Sequence, residues 1–161
     1  MKQFSGMVKG ASSIMDKIAG VCIFSVMLLI VANIILRVIF SQPILGTYEM
    51  VGFLAAMGVS FALAHCALQD GHIAVSFIME RFSPKVQSIV GVLINAISLV
   101  FWTVAAWYLG KFGLAMKMKG LVSSSAEIPV YPFIYLVAFG VLGLCLVLLF
   151  KLLVSLQKVV R

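Results

Sequence analysis

The apolar positions of the chain fall into four long runs, and the charged residues lie between them. No charged residue occurs in the 19 positions between Lys17 and Arg37, the 20 between Glu49 and Asp70, the 25 between Lys85 and Lys111, or the 23 between Glu127 and Lys151. A helix needs about 20 apolar residues to cross roughly 30 Å of hydrocarbon, and it satisfies its own backbone hydrogen bonds in lipid. The pattern therefore predicts an all-α integral membrane protein with four transmembrane helices.

The predicted elements form a single membrane domain over residues 1–161. Transmembrane helices are expected over about 18–40, 48–68, 84–109 and 132–153, with an amphipathic interfacial helix over about 70–82, between helices 2 and 3. The interfacial helix is predicted because His72, Ser76 and Glu80 share one helical face of the segment DGHIAVSFIMERF, while apolar residues occupy another. A strand is disfavoured there, because its open edge is unsatisfied in lipid. Ser83 is expected to cap helix 3, with Pro84 in the first helical position.

The charge of the chain is best explained by membrane topology. The formal net charge of +7 could suggest binding to nucleic acid, but the basic residues lie at the ends of apolar runs rather than in one patch. An even number of spans places both termini on one side, which carries eight Lys and Arg residues. The other side carries Arg37, Lys111, Lys117 and Lys119. The positive-inside rule then predicts that both termini are cytoplasmic.

Two ionisable residues flank the short connection between helices 1 and 2. Arg37 lies near the end of helix 1 and Glu49 at the start of helix 2, so both are expected near the same membrane face. Ionisable groups at membrane depth are candidates for function and need a partner. We expect an ion pair that pins this hairpin; a role in transport is the alternative.

Small and amide residues within the spans indicate helix packing. Gly52 and Ala56 on helix 2 have small-xxx-small spacing, which lets a second helix approach closely. That helix could belong to this chain or to another subunit. Asn33 and Asn95 are expected to form hydrogen bonds to neighbouring helices.

The sequence offers no clear site for a cofactor, a metal or a substrate. His65 and His72 are seven residues apart on one stretch, and there is no third histidine, so they cannot ligate one haem from opposite faces. The spans also lack a charged ladder, a broken helix and an inverted repeat, which are typical of transporters with their own substrate site. We therefore expect neither an enzyme nor an autonomous transporter. Glu49 lies at a helix end, which disfavours a small self-assembling exporter.

Several motifs, taken in order, resemble a known family. The segments ILRVIF, YEMVGFLAAMGVSFALAHCALQDGHIAVSFI and RFSP look like the small membrane subunit of tripartite ATP-independent periplasmic (TRAP) transporters, the DctQ type. The family pattern has an Arg ending helix 1, a Glu opening helix 2, a Gly-His-Ile/Val-x-Val motif after helix 2 and a hydrophobic-Pro step before helix 4. The matching residues are Arg37, Glu49, Gly71, His72, Ile73, Val75, Ile128 and Pro129. Many members have Asp where this chain has Ser76.

The resemblance implies a supporting subunit of a bacterial inner-membrane transport complex. A periplasmic binding protein (DctP-type) would capture an organic acid, and a separate large membrane subunit (DctM-type) would bind substrate and sodium and move them by an elevator-type motion. This chain would be the fixed scaffold, without a cofactor of its own. Lys111, Lys117 and Lys119 would face the periplasm, where they could dock the binding protein or contact lipid headgroups. The alternative is a haem- or quinone-associated membrane anchor of a respiratory enzyme.

Overall fold

A computed structural model describes residues 2–69 and 84–160 of the chain, and these residues form four α-helices. Their bounds are α1 Lys2–Phe40, α2 Thr47–Leu68, α3 Pro84–Met118 and α4 Tyr131–Val160. Each helix is long and apolar enough to cross a membrane, which agrees with the predicted fold class. The predicted interfacial helix over 70–82 and the predicted capping residue Ser83 lie outside the described residues.

Local signals determine where these helices begin and end. Pro84 is the first residue of α3, as predicted, and Pro132 lies in the first turn of α4, where its missing N–H is tolerated. Helix α3 ends in a Schellman motif: Leu121 N–H donates to Met116 O at 3.3 Å, and Gly120 N–H donates to Lys117 O at 3.2 Å. Gly120 has a φ of +59°, the left-handed conformation that this motif requires.

Three helices are longer than the sequence predicted. Helix α1 begins at Lys2 rather than near Ile18, α3 continues past Leu109 to Met118, and α4 continues past Leu153 to Val160. The predicted bounds followed the charge-free runs, which indicate the length that lies in hydrocarbon. A helix can continue beyond the hydrocarbon until a capping or breaking residue ends it, as Gly120 does for α3.

The helices pack in the order α1, α2, α4, α3, so α2 and α4 lie in the middle and α1 and α3 at the edges. Helix α1 also touches α4, but α3 has no extended contact with α1 or α2 in the described part of the chain. A closed bundle would cover the apolar stripe of every helix. Here α1 and α3 keep broad exposed apolar faces, with residues such as Val38, Ile97 and Phe101 more than 60% exposed.

Small residues set the distances between the packed helices. Gly140 on α4 lies against Ser60 on α2, where an added Cβ would come within 2.7 Å of the Ser60 hydroxyl and 2.9 Å of its carbonyl carbon. Gly58 on α2 lies against Ile23 on α1 in the same way, with a Cβ-to-side-chain distance of 3.1 Å. Helix α2 therefore approaches α1 and α4 closely at Gly58 and Ser60, whereas the predicted seam at Gly52 and Ala56 is not the surface that packs there.

The N-terminal turns of α1 belong to the packed bundle. Val8, Met15 and Ala19 are buried on one face of the helix and join the same apolar cluster as Ala64 of α2 and Val147 of α4. The sequence placed the start of the first transmembrane helix near residue 18, so this packing was not predicted. Its apolar residues recur at helical spacing, which is the signal for an amphipathic helix that packs along one side.

Candidate functional site

Two loops meet at one end of the bundle, and Glu49 lies between them. We call this end, formed by residues 41–46 and 119–130 with the adjoining helix turns, the Glu49 end. The carboxylate of Glu49, in the first turn of α2, accepts hydrogen bonds from the Ser123 hydroxyl, from Ser125 N–H at 3.1 Å and from Ala126 N–H at 3.2 Å. We call these three contacts the Glu49 clamp. Charge-assisted hydrogen bonds of this kind are stronger than neutral ones.

The loop 119–130 is folded so that its N–H groups converge on Glu49. Ser123 N–H donates to Ile128 O at 2.9 Å, and Glu127 N–H donates to Ser123 O at 3.2 Å. Val122 and Pro129 form an isolated antiparallel bridge next to these bonds. The loop is therefore a tight reversal that leaves the N–H groups of its tip free to bind the carboxylate.

The loop of residues 41–46 is held in place by side chains of α1 and α2. The side-chain oxygen of Asn33 accepts a hydrogen bond from Ile44 N–H at 2.8 Å, and the Thr47 hydroxyl donates to Ile44 O at 2.7 Å. The sequence predicted that Asn33 would bond to a neighbouring helix, whereas its partner is the loop that follows α1. Asn95 differs, since its amide donates to Gly91 O within α3 at 2.8 Å.

Gly46 brings the two loops into direct contact. Its φ is +75°, and a Cβ added to it would lie 2.4 Å from the Cβ of Ala126. Both the backbone conformation and the space require glycine at this position. One helical turn further into the bundle, the rings of Phe53 and Phe133 stack with centroids 4.5 Å apart and join α2 to α4. Polar and aromatic contacts thus tie the Glu49 end together.

The predicted ion pair between Arg37 and Glu49 is not formed. The structure gives Glu49 the partners of the clamp instead, and no ion pair of Arg37 is found among residues 2–69 and 84–160; its side chain is exposed. The prediction rested on distance along the chain, whereas the loop that supplies the partners is 74 or more residues away. The segment SSSAE, at residues 123–127 and rich in small hydrogen-bonding residues, is the sequence feature that could have indicated these partners.

The three candidate lysines occupy different positions around the Glu49 end. The Lys111 ammonium lies 5.4 Å from the centre of the Trp107 ring, and that of Lys117 lies 6.0 Å from the centre of the Tyr131 ring. Both residues belong to α3, which the sequence had predicted to end near residue 109, while Lys119 lies just beyond the helix. All three side chains are exposed.

The other residues that the sequence singled out as packing or partner-contact candidates are either exposed or outside the described residues. Gly52 and Ala56 are exposed on α2, and a Cβ added to Gly52 would meet no atom within 4 Å. Pro129 is exposed in the second loop. Gly71, His72 and Ile73 lie outside the described residues. The face of α2 that carries Gly52 is therefore not covered by residues 2–69 and 84–160.

The described part of the chain contains no cluster of side chains that could hold a metal ion. Nε2 of His65 lies 2.7 Å from the side-chain nitrogen of Gln69, and its Nδ1 is buried with no hydrogen-bond partner among the described residues. No three His, Cys, Asp or Glu side chains of residues 2–69 and 84–160 form a possible metal site. At the Glu49 end, one carboxylate holds in place a loop that is distant from it in the sequence.

Most of the chain matches the model of a known protein family. A family model described as the DctQ component of tripartite ATP-independent periplasmic transporters matches residues 26–158. The matched region contains Glu49 and both loops of the Glu49 end. No curated protein and no solved structure matches the chain significantly.

Proposed function

The chain belongs to the DctQ family of TRAP transporter components, a multi-pass inner-membrane family of small transporter subunits, and we propose that it is the fixed scaffold of its transport complex. In this proposal a separate large membrane subunit of the DctM type binds sodium and an organic acid and moves them by an elevator-type motion. A periplasmic binding protein of the DctP type delivers the acid. This chain supports the large subunit and carries no substrate itself.

The observation that carries the proposal is the role of Glu49. A transporting carboxylate must be free to exchange a proton, an ion or a substrate. The Glu49 carboxylate instead accepts three hydrogen bonds from the second loop, including two from backbone N–H groups. The other described acids, Asp16 and Glu127, are exposed rather than placed within the bundle.

The arrangement of the helices also supports a scaffold. The edge helices α1 and α3 expose broad apolar faces, and the Gly52 face of the central helix α2 is uncovered as well. A larger membrane protein can pack against such faces without disturbing the contacts inside this chain. The clamp and the loop contact at Gly46 keep the Glu49 end fixed while the partner moves.

We place the Glu49 end in the periplasm and both termini in the cytoplasm, following the distribution of basic residues. Lys117 and Lys119 then lie on the periplasmic side, at the end of α3 and just beyond it. Two exposed cations there can attract an acidic surface of the binding protein, an effect that salt weakens. Lys111 lies further from the C-terminal end of α3 than Lys117 does.

The proposal is tested by purifying the chain from its native membrane in mild detergent and identifying the proteins that accompany it by mass spectrometry. We expect a much larger membrane protein whose sequence identifies it as a DctM-type subunit, in about equal amount. Glu49→Gln should lower its recovery because the clamp shapes the Glu49 end. Glu127→Gln, the matched loss of one exposed negative charge, should leave the recovery unchanged. A chain that purifies only with copies of itself would contradict the proposal.

The haem- or quinone-associated anchor gains no support from the family match. A haem iron held by two histidines would need a second one, and His65, which lies beside Gln69, is the only histidine among the described residues. A visible absorption spectrum of the purified complex separates the two proposals. A Soret band that disappears in His65→Ala would contradict the scaffold and favour the anchor.

A further inference from the structure

A groove runs along the surface of α3 toward α4, and none of its lining residues belongs to the Glu49 clamp. Its volume is about 420 Å³, and its walls and floor include Thr103, Ala106, Trp107, Gly110, Lys111 and Leu142. Most of these residues recur at three- and four-residue intervals on α3, so the groove follows the helix axis. Gly110 leaves it open, since a Cβ added there would meet no atom within 4 Å.

Lys111, the lysine of this groove, lies between the Glu49 end and the middle of the bundle. Gly113 of α3 lies against Ile134 and Tyr135 of α4, and the Thr103 hydroxyl lies 3.9 Å from Sγ of Cys145. This antiparallel register places Lys111 level with about residues 136–137 of α4. At about 1.5 Å per residue, that is roughly 8 Å inside the start of α4 at Tyr131. An ammonium group at this depth needs a polar or anionic partner to offset the hydration that it loses.

No carboxylate of the described chain neutralises this ammonium. Its described neighbour is the ring of Trp107, at 5.4 Å. The Glu49 carboxylate is engaged in the clamp, Glu127 is exposed in the second loop, and Asp16 belongs to α1, which has no extended contact with α3. A cation near the edge of the hydrocarbon, at the rim of an open apolar groove, can bind an anion that carries an apolar chain.

We propose that this groove binds one anionic phospholipid from the membrane leaflet at the Glu49 end. The phosphate contacts the Lys111 ammonium beside Trp107, and one acyl chain lies over Gly110 and Ala106 toward Thr103. The eight residues from Lys111 to Thr103 rise about 12 Å, most of the roughly 15 Å depth of one leaflet. A lipid with net negative charge is favoured over a zwitterionic one, because the lysine then neutralises an unpaired charge. The inference does not depend on the proposed scaffold function.

The test uses Trp107 as a local probe in the full chain. Trp102, the other tryptophan, is replaced by Phe, and the protein is placed in phosphatidylcholine vesicles that contain either brominated phosphatidylglycerol or brominated phosphatidylcholine. Bromine quenches tryptophan fluorescence only at contact. We expect phosphatidylglycerol to quench Trp107 at an approximately fivefold lower mole fraction than phosphatidylcholine does, as one lysine–lipid charge contact provides.

Two substitutions separate the charge from the groove. Lys111→Gln should abolish the preference for phosphatidylglycerol, while Lys119→Gln, which removes an equal charge beyond the helix, should retain it. Gly110→Leu should fill the groove and reduce quenching by both lipids. The matched change Gly52→Leu, at an open glycine of α2, should leave quenching unchanged.

Three results would overturn the proposal. The first is equal quenching by the two lipids in the chain that retains Lys111. The second is loss of the preference in Lys119→Gln to the same extent as in Lys111→Gln, which would indicate general surface charge. The third is a carbodiimide cross-link, in the purified complex, between Lys111 and a carboxylate of the large subunit, since the groove would then receive a protein partner instead.

Discussion

The Glu49 end and the middle of the bundle are held together in different ways. At the Glu49 end, one carboxylate and one left-handed glycine fix two loops through a few directed contacts. In the middle, glycines such as Gly140 and Gly58 let neighbouring helices approach until side chain meets backbone. The first arrangement depends on hydrogen-bond geometry and the second on shape, so the two regions should respond differently to substitution.

The difference fits the environment of each region and the scaffold role that we propose. Close packing in the middle keeps the row of helices together within lipid, where apolar surface gives little driving force for association. The loops lie where water competes for hydrogen bonds, so charge-assisted contacts are needed to hold one conformation. In the proposed scaffold, both kinds of contact would resist deformation by a moving partner.

The largest effect is expected for Gly46→Ala. The substitution places a Cβ 2.4 Å from the Cβ of Ala126 in a residue with a φ of +75°, so it introduces both a clash and backbone strain. We expect a loss of about 3 kcal/mol of stability, from roughly 1–2 of left-handed strain and the rest of overpacking. Thermal unfolding in detergent measures it.

Gly120→Ala is the matched control for this change. Its φ is also positive, +59°, but a Cβ there would meet no atom within 4 Å. Only the strain of about 1–2 kcal/mol should appear. If the two variants unfold at the same temperature, the contact between the loops contributes nothing and the Glu49 end is less tightly held than we describe.

The next effect is expected in the middle of the bundle. Gly140→Ala would bring a Cβ within 2.9 Å of the Ser60 carbonyl carbon, which forces α2 and α4 apart. Overpacking of this kind costs about 1–3 kcal/mol. Gly20→Ala, at a helical glycine with no neighbour within 4 Å, should be neutral or stabilising by up to about 1 kcal/mol. Equal loss in both variants would refute close packing at Gly140.

A smaller effect is expected for Glu49→Gln. The amide keeps the size of the side chain but removes the charge and one acceptor oxygen from the clamp, which should cost about 1–2 kcal/mol. Hydrogen exchange should then increase at Ser125 and Ala126, whose N–H groups lose their partner. Glu127→Gln should change stability by less than about 0.5 kcal/mol, as exposed substitutions do. Unaltered exchange in Glu49→Gln would mean that the clamp does not hold the loop.

The smallest effect is expected for Arg37→Gln. Arg37 is exposed and forms no ion pair among the described residues, so its loss should change stability by less than about 0.5 kcal/mol. Reversing the charges of Arg37 and Glu49 together should not rescue the Glu49 variant. A double-mutant cycle that shows coupling of more than about 1 kcal/mol between these two residues would restore the ion pair that the sequence suggested.

The fold was largely predictable, because the lipid environment leaves few solutions. A run of apolar residues of the right length can only cross hydrocarbon as a helix, and Pro84 and Pro132 marked helix starts correctly. The helix ends beyond hydrocarbon were not predicted. The end of α3 depends on Gly120 rather than on Lys111, and a charged residue alone does not break a helix.

The candidate site was predicted only in part. Glu49 was identified correctly as a residue that needs a partner, but the partner was chosen by sequence distance. The carboxylate binds backbone N–H groups of Ser125 and Ala126, and sequence patterns give no sign of which N–H groups a folded loop will present. Asn33 was likewise expected to bond to a neighbouring helix, but its partner is the N–H of Ile44 in the first loop.

The central claim, that this chain supports transport without carrying substrate, is tested most directly by uptake into vesicles. The assay follows sodium-driven entry of a labelled organic acid that the binding protein binds. We predict no uptake with this chain alone and robust uptake when the large membrane subunit and the binding protein are added. Uptake by this chain alone, or full uptake by the other two components without it, would contradict the account.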